Sequence, residues 1–395
     1  MPQLGLGSSL SRGGVLSGFE NKYSLSLDGT NDHITLGSAI TLGDGQAFTM
    51  SAWIKKVGGG RFVIMSGNGA NYARNVFEVR ANEKLAVTSE GATVDNEFDP
   101  VLSLNKWYHV ALVYSGTVYT AYINSTAEST TYTSDDQFTD FQWIGIGSNG
   151  STNPFEGNID EVAIWDVALD ADAITAIYNS GTPIALDADD GNYDNSGDLQ
   201  GWWRMGDGTL DNHGAFDGDD NGIIVDMETP PTLGSEMISN GASLSGADWT
   251  VTGGLSSSWT FADGKAVFDD VANHDLSQVD TDMVSTFSTG VIYKMTYTIS
   301  DLSDETGNAA YFQILSDDQN PFDITGSTYM SAINGTHTVY FKANSDNNGN
   351  GLRIKASTNS TGSWKIDDIS VKPVTGGNIG FMINMTASDI VEATP

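Results

Sequence analysis

Short runs in which apolar and polar residues alternate recur along the whole chain, each bounded by Gly, Asn, Asp or Ser clusters. In the first half they are Ser24–Leu27, Met50–Lys55, Arg61–Met65, Val76–Arg80, Lys84–Thr88, Trp107–Tyr114, Val118–Ile123 and Gln142–Ile146. A period of two marks half-buried strands, and this spacing predicts two packed antiparallel sheets. The run from Phe155 to Trp165 predicts a strand with Ile159, Glu161 and Ala163 on one face and Asp160, Val162 and Ile164 on the other. It leads into a helix over 171–179, capped by Asp170 and ended by Gly181 and Pro183, with Ile174, Ile177 and Tyr178 at helical spacing. A second series of alternating runs starts near Leu233 and includes Trp259–Phe261, Gly264–Phe268, Val291–Ile299, Ala310–Leu315, Gly335–Ala343, Leu352–Ala356 and Trp364–Lys372. The pattern predicts an all-β chain of two antiparallel β-sandwich domains, 23–186 and 234–374. An acidic linker, 187–233, joins them and carries one docked strand at the Trp202-Trp203 pair; an arm, 1–22, precedes them and a tail, 375–395, follows.

Composition narrows the partners. With 51 acidic against 17 basic residues the formal net charge is −34, which repels nucleic acid and anionic membranes and favours solubility and divalent cations. The absence of cysteine removes disulfides and thiolate metal sites. No apolar run is long enough to span a membrane, and residues 1–19 lack the basic start and apolar core of a secretion signal.

Tyr23–Gly29, Phe48–Ile54, Lys106–Tyr114 and the Phe155–Leu169 run together resemble the laminin-G-like, concanavalin A-type lectin jelly roll over roughly residues 20–186. The stretch from Asn240-Gly241 through Trp249, Trp259 and Gly264–Phe268 to Ile366-Asp-Asp-Ile-Ser-Val371 resembles the galactose-binding-like jelly roll of carbohydrate-binding modules. Gly201-Trp-Trp-Arg-Met-Gly-Asp-Gly208 and the tail Gly377–Pro395 resemble segments of tail and structural proteins of aquatic bacteriophages, where the second follows soon after the first. The tail also echoes Asn221–Pro230, as duplication of a tail or insertion of a module would produce.

These resemblances imply calcium at closing strands, with Asp28 and Asp160 as ligands in the first domain, Asp32 as a weaker third, and Glu236 and Asp368 in the second. The alternative role for each carboxylate is to cap a turn and accept backbone N–H groups. Independently, Asp217–Glu228 fits a calcium-loop pattern, with Asp217, Asp219 and Asn221 as alternating oxygen ligands, Gly222 at the turn and Glu228 closing; a solvated turn is the alternative. Tyr72 beside Asn71, Trp259 after a serine run, and Tyr329 are the candidate sugar platforms, since they sit in polar, loop-like contexts. Trp53, Trp107, Trp165, Trp249 and Trp364 lie inside alternating runs and are expected to be scaffold.

No catalytic constellation emerges. The five histidines are scattered, and Glu156-Gly-Asn-Ile-Asp-Glu161 lacks the Glu-x-Asp-x-x-Glu spacing of the glucanases that share the lectin fold. The resemblance therefore implies a non-enzymatic structural protein on the surface of a bacteriophage particle, a decoration, fibre or tail component that touches other virion proteins and cell-surface or free glycans, with homo-oligomerisation compatible. A secreted bacterial carbohydrate-binding or adhesion protein is the first alternative and a glycan-cleaving enzyme the second. The Gly- and Ser-rich arm, unable to form a core of its own, is expected to be the anchor.

Overall fold

Strands dominate the computed structural model, which describes residues 19–395 except 44, 68–75, 89–95, 134–139, 148–149, 151, 209–210, 212–222, 253–258, 270–274, 304–310, 317–329, 332–333, 344–350, 357–362 and 386. The first domain opens with β1 (Ser24–Asp28), β2 (His33–Thr41), β3 (Phe48–Lys56), β4 (Phe62–Ser66), β5 (Val76–Val79), β6 (Lys84–Thr88) and β7 (Asn96–Val101). It continues with β8 (Tyr108–Tyr114), β9 (Val118–Ile123), β10 (Thr126–Thr133), β11 (Asp140–Ile144), β12 (Glu156–Trp165), helix α1 (Ala171–Tyr178), β13 (Leu199–Trp203) and β14 (Ile223–Val225). The second comprises β15 (Thr250–Thr252), β16 (Trp259–Ala262), β17 (Lys265–Asp269), β18 (Asp275–Gln278), β19 (Ile292–Ser300), β20 (Tyr311–Ser316), β21 (Met330–Ser331), β22 (Gly335–Lys342), β23 (Leu352–Ala356) and β24 (Ser363–Pro373). Two tail strands close the chain, β25 (Ile379–Ile383) and β26 (Ile390–Val391).

Among the described residues every paired strand is antiparallel. The first sandwich packs a sheet of order β10-β9-β8-β3-β12-β1-β26, with β13 also on β12, against one of order β14-β25-β2-β11-β4-β5-β6-β7. Leu25, Ile34, Phe48, Phe77, Leu112 and Trp203 are among the buried residues between them. The second sandwich packs β15-β18-β23-β20-β21 on β16-β17-β24-β19-β22 around Trp249, Phe268, Tyr297, Phe341 and Trp364. The first-half alternating runs all lie on observed strands. Among the described strands that escaped the sequence pattern are β2, β7 and β10. β2 is half exposed, β7 is an edge strand carrying Pro100, and β10 is a Thr- and Ser-rich edge, so none needs strict alternation to bury one face.

β12 departs from its expected alternation. Asp160 pairs with Trp53 but Ala163 with Ser51, a bulge in which Glu161 takes a left-handed φ of 46°. Ile159, Val162 and Ile164 therefore face the core, while Ala163 and Trp165 face α1. Ile159 and Glu161 do not share a face, contrary to a simple period of two. The helix forms as expected: Asp170 Oδ1 accepts from Ala173 N at 2.8 Å, and the stop is Asn179 in the left-handed region, ahead of Gly181.

The tail completes the first sandwich. β25 lies between β14 and β2, pairing Phe381 with Ile223 and Thr35, and β26 pairs with β1. The chain thus leaves the first sandwich after β14, builds the second, and returns as β25. Between the two bodies the outgoing and returning segments are themselves bonded: Asp226 N donates to Asn378 O (2.9 Å), Thr375 N to Thr232 O (2.9 Å) and Gly234 N to Pro373 O (2.8 Å). Ile223, Val225, Ile379 and Phe381 then pack on Tyr340, with Ile292 and Val374 alongside. Gly37 permits this approach, because a Cβ there would lie 2.6 Å from Ile292 Cδ1. Within that echo Ile223–Val225 and the tail strand Ile379–Ile383 are neighbouring strands, and the second sandwich lies in their connection.

That geometry makes the second sandwich removable. Replacing residues 233–374 by Asn-Gly should join Thr232 to Thr375 through a two-residue hairpin turn and leave a folded first sandwich, with Phe381→Thr to cover the bared apolar face. A cooperative thermal transition with retained strand circular dichroism is expected; an unfolded product would show that the first sandwich depends on the insert.

Candidate functional site

The bulge in β12 places two neighbouring carboxylates inside the protein, Asp160 fully buried and Glu161 3% exposed. Glu161 Oε2 accepts from Trp202 Nε1 at 2.5 Å, and its Oε1 from Arg204 Nε and Asn21 Nδ2, both at 3.2 Å. Asp160 Oδ2 accepts from the same Asn21 Nδ2 at 2.9 Å, and its Oδ1 from Glu161 N at 2.8 Å. Arg204 reaches on to Glu20 O (2.5 Å) and Asp207 O (3.2 Å), and its guanidinium lies 4.2 Å from the Phe19 ring centre. Asp207 Oδ2 accepts from Lys22 N and Tyr23 N, each at 2.8 Å. The Trp-Trp-Arg-Met-Gly-Asp segment is thus a socket for Phe19–Tyr23. These residues belong to the fold rather than to a free arm; residues 1–18 lie outside the described residues.

Of the two buried carboxylates only Glu161 is bonded to the Arg204 guanidinium; Asp160 relies on Asn21 and the Glu161 amide. Burial pushes the Asp160 carboxyl well up, with the Glu161 charge adding to it. Glu161 is raised to about 7, because burial outweighs the opposing pull of Arg204 and the Trp202 hydrogen bond. Beside them Ser51, Trp53, His109, Glu161 and Ile177 line a cavity of about 10 Å³, room for one water molecule. His109 Nδ1 is buried there without a protein partner, and burial pushes that imidazole down to about 3, so it is neutral.

The carboxylates expected to share calcium in the first domain are kept apart. Asp28 stands opposite Glu156, four positions along β12 from Asp160, a separation of about 13 Å at strand rise. Asp28 is exposed and accepts from Thr30 N (2.7 Å) and Asn31 N (3.4 Å), the turn-capping alternative. Asp32 is buried, accepts from Asp28 N at 3.0 Å, and is raised to about 6 by burial, with the charges of Asp28 and Asp389 adding.

In the second domain Glu236 and Asp368 do line one cleft, of about 320 Å³, with Asn240, Gly241 and Ser370. Glu236 Oε1 accepts three amides, Met237 N (3.1 Å), Ile238 N (3.0 Å) and Val371 N (2.9 Å), and Oε2 accepts from Ser370 Oγ (2.5 Å). Asp368, at φ 50° on a bulge of β24, is exposed, while Asp367 pairs with Lys265 at 2.8 Å. A calcium ion takes six to eight oxygens, and an oxygen saturated by three N–H donors has no lone pair left for a cation. Glu236 Oε1, held in this way, does not fit the ion. Among the described residues no three His, Asp or Glu side chains are grouped to hold a metal.

Of the proposed calcium loop, Asp217, Asp219 and Asn221 lie outside the described residues; the positions after Gly222 form β14, and Glu228 sits in a turn where its N–H donates to Asp226 Oδ1 at 3.0 Å. Tyr72, Asn71 and Tyr329 also lie outside the described residues. Trp259 requires correction: it begins β16, is 4% exposed, and packs edge-on to Phe268 and Trp364 at 5.3 and 5.1 Å, leaving no ring face for a sugar. The residues that organise the site, Asn21, Arg204 and Asp207, were not singled out. The available signal was an arginine beside two tryptophans in a chain of net charge −34.

Residues 28–175 match the family described as the concanavalin A-like lectin/glucanases superfamily, of the laminin-G type. The first sandwich is a concanavalin A-like lectin fold. Among solved structures, a heptameric pentraxin from Limulus polyphemus is similar at 16% identity and a TM-score of 0.34, covering 41% of this chain and 84% of that one. A putative carbohydrate-binding protein from Bacteroides ovatus is similar at 17% identity and a TM-score of 0.37, covering 53% and 56%. The enzymatically active domain of tailspike protein 2 of bacteriophage CBA120 is similar at 15% identity and a TM-score of 0.34, covering 46% of this chain and 29% of that one. No curated protein matches the sequence.

The buried carboxylates give the lectin sandwich an inverted acid response. Asp160, Glu161 and Asp32 hold protons more tightly folded than unfolded. Their contribution is complete below the unfolded carboxylate range at about 4 and is lost as pH rises through about 6 for Asp32 and about 7 for Glu161. Stability should therefore rise from about pH 8 to about pH 5, by up to about 1.4 kcal/mol per pH unit per group. Glu161→Gln should flatten the upper part of that slope in thermal melts, and an unchanged slope would count against the assignment. Arg204→Met should destabilise by about 3–5 kcal/mol in denaturant titration by stranding Glu161.

Proposed function

We propose that this is a non-enzymatic structural protein of a bacteriophage particle, exposed on the particle surface as a decoration, fibre or tail component, with a lectin-fold body that contacts glycans. The observation that carries the reading is the pairing of β14 with β25. The Trp-Trp-Arg-Met segment and the tail, both resembling phage structural proteins, are 169 or more residues apart in sequence yet build one sandwich. In that arrangement the two segments lie in facing sheets and are linked through Asp226, which bridges to Trp203 and donates its N–H to Asn378 O at 2.9 Å, with the second sandwich in the connection between β14 and β25. The lectin fold of residues 28–175 supports the glycan contact.

A binding role fits the carboxylates better than hydrolysis does. Glycoside cleavage needs two carboxyl groups flanking a sugar bond, whereas Asp160 and Glu161 on β12 are closed off by Trp202, Arg204 and Asn21. The alternative of a secreted carbohydrate-binding or adhesion protein draws on the same fold.

Mass spectrometry of purified virions should detect the chain at a fixed copy number, and deletion of residues 2–18, which spares the docked Phe19–Tyr23, should leave it folded but unincorporated. Absence from virions, with recovery from culture fluid as a free glycan-binding protein, would favour the secreted alternative. Release of reducing ends from a bound polysaccharide would place it among the glycan-cleaving enzymes instead.

A further inference from the structure

We infer that the second sandwich closes without calcium, the side chain of Glu236 doing by hydrogen bonding what a bound ion would do between the first and last segments of the domain. Chain closure in a sandwich needs the entering segment fixed to the final strand. Here Glu236 belongs to the entering segment and β24 is the final strand, 134 residues later in sequence. The carboxylate gathers two donors from its own segment, Met237 N and Ile238 N, and two from β24, Val371 N and Ser370 Oγ. Four donors spread over both oxygens solvate the negative charge without a metal.

The same cleft lacks the rest of a coordination sphere. Gly241 O is taken by Ile369 N at 2.9 Å, and the Asn240 side chain donates to Asp248. Met237 N–H, besides facing Glu236, is also oriented by the backbone of β24, donating to Val371 O at 2.9 Å. Among the described lining groups Asp368 is the carboxylate left over, exposed and on a left-handed backbone. An ion seated on Glu236 would have to displace the amide hydrogens of Ile238 and Val371, which are bonded to that carboxylate. Those hydrogens carry partial positive charge and would repel it.

The test uses the full chain and calcium chloride as the probe, with magnesium chloride at equal concentration to account for screening of the large negative charge. Melting followed by near-ultraviolet circular dichroism should give the same temperature in calcium as in magnesium. Glu236→Gln should lower it by several degrees equally in calcium and in EDTA, since it removes the charge that the four donors solvate. Asp368→Asn, which touches no donor, should leave it unchanged in every solution. A melting temperature several degrees higher in calcium than in magnesium, with that gain abolished by Asp368→Asn, would overturn the inference, as would a loss in Glu236→Gln seen only with calcium present. If Glu236→Gln does not fold, the Asp368→Asn comparison decides alone.

Discussion

Carboxylates that accept backbone N–H groups from distant segments hold this chain together. Asp207 takes the amides of Lys22 and Tyr23; Asp211 takes those of Gly206, Gly208 and Val225; Asp226 takes those of Trp202 and Glu228; Glu236 takes three more. Each joins a loop or entering segment to a strand, the place where a sandwich otherwise leaves amides without partners. Charge-assisted bonds of this kind are stronger than neutral ones, and in a chain without cysteine they supply the long-range ties that disulfides would provide. The acidity of the sequence is therefore partly architectural. Two enclosed carboxylates take guanidinium partners, Glu161 one from Arg204 and Glu78 two from Arg61 and Arg80.

The splice between β14 and β25 depends on the same chemistry. Asp211 fixes the start of β14's partner loop through Val225 N, and Asp226 immediately after β14 holds both Trp202 and the turn toward the second body. On the return side the Asn378 side chain bonds both the amide and the carbonyl of Ser38. An insert can leave and re-enter a sheet without loosening it only if both ends are held like this. The apolar contact of Ile379 and Phe381 with Tyr340 then fixes how the two bodies sit, adding packing to a neck that hydrogen bonds alone would leave free to bend.

How much of this was legible follows from which forces act locally. β3, β8 and β12 carry apolar residues because both their faces are covered, and they stood out; the helix stood out through Asp170 and the spacing of Ile174 and Ile177. β2 and β10, half exposed or at an edge, carry weak alternation and were missed. The bulge at Glu161 was invisible, since nothing in Ile159–Ile164 but its burial pattern marks the extra residue. The socket formed by Arg204 and Asn21 joins positions 183 residues apart, and the partner of a buried carboxylate cannot be read from spacing. Trp259 misled because a serine run before it read as a loop, while its ring is committed to Phe268 and Trp364.

For the glycan contact proposed above, the occupied faces narrow the surface of the lectin sandwich that is open to it. One outer face is covered along β3 and β12 by α1, Leu186, Tyr193 and Trp202, and the other along β14 and β25 by the second sandwich. What stays open among the described residues includes the rim where β3, β7 and β8 end, and there Val57, Val101 and Leu104 are exposed while Lys55 lies over the Trp107 ring at 5.5 Å. Asn105 N donates to Lys56 O at 2.8 Å, so the two loops that carry Val57 and Leu104 run side by side. Exposed apolar side chains on a strongly acidic protein are held there against their own transfer free energy. For the proposed glycan contact such a rim suits a neutral or weakly charged surface, since the charge of the rest of the molecule opposes a polyanion.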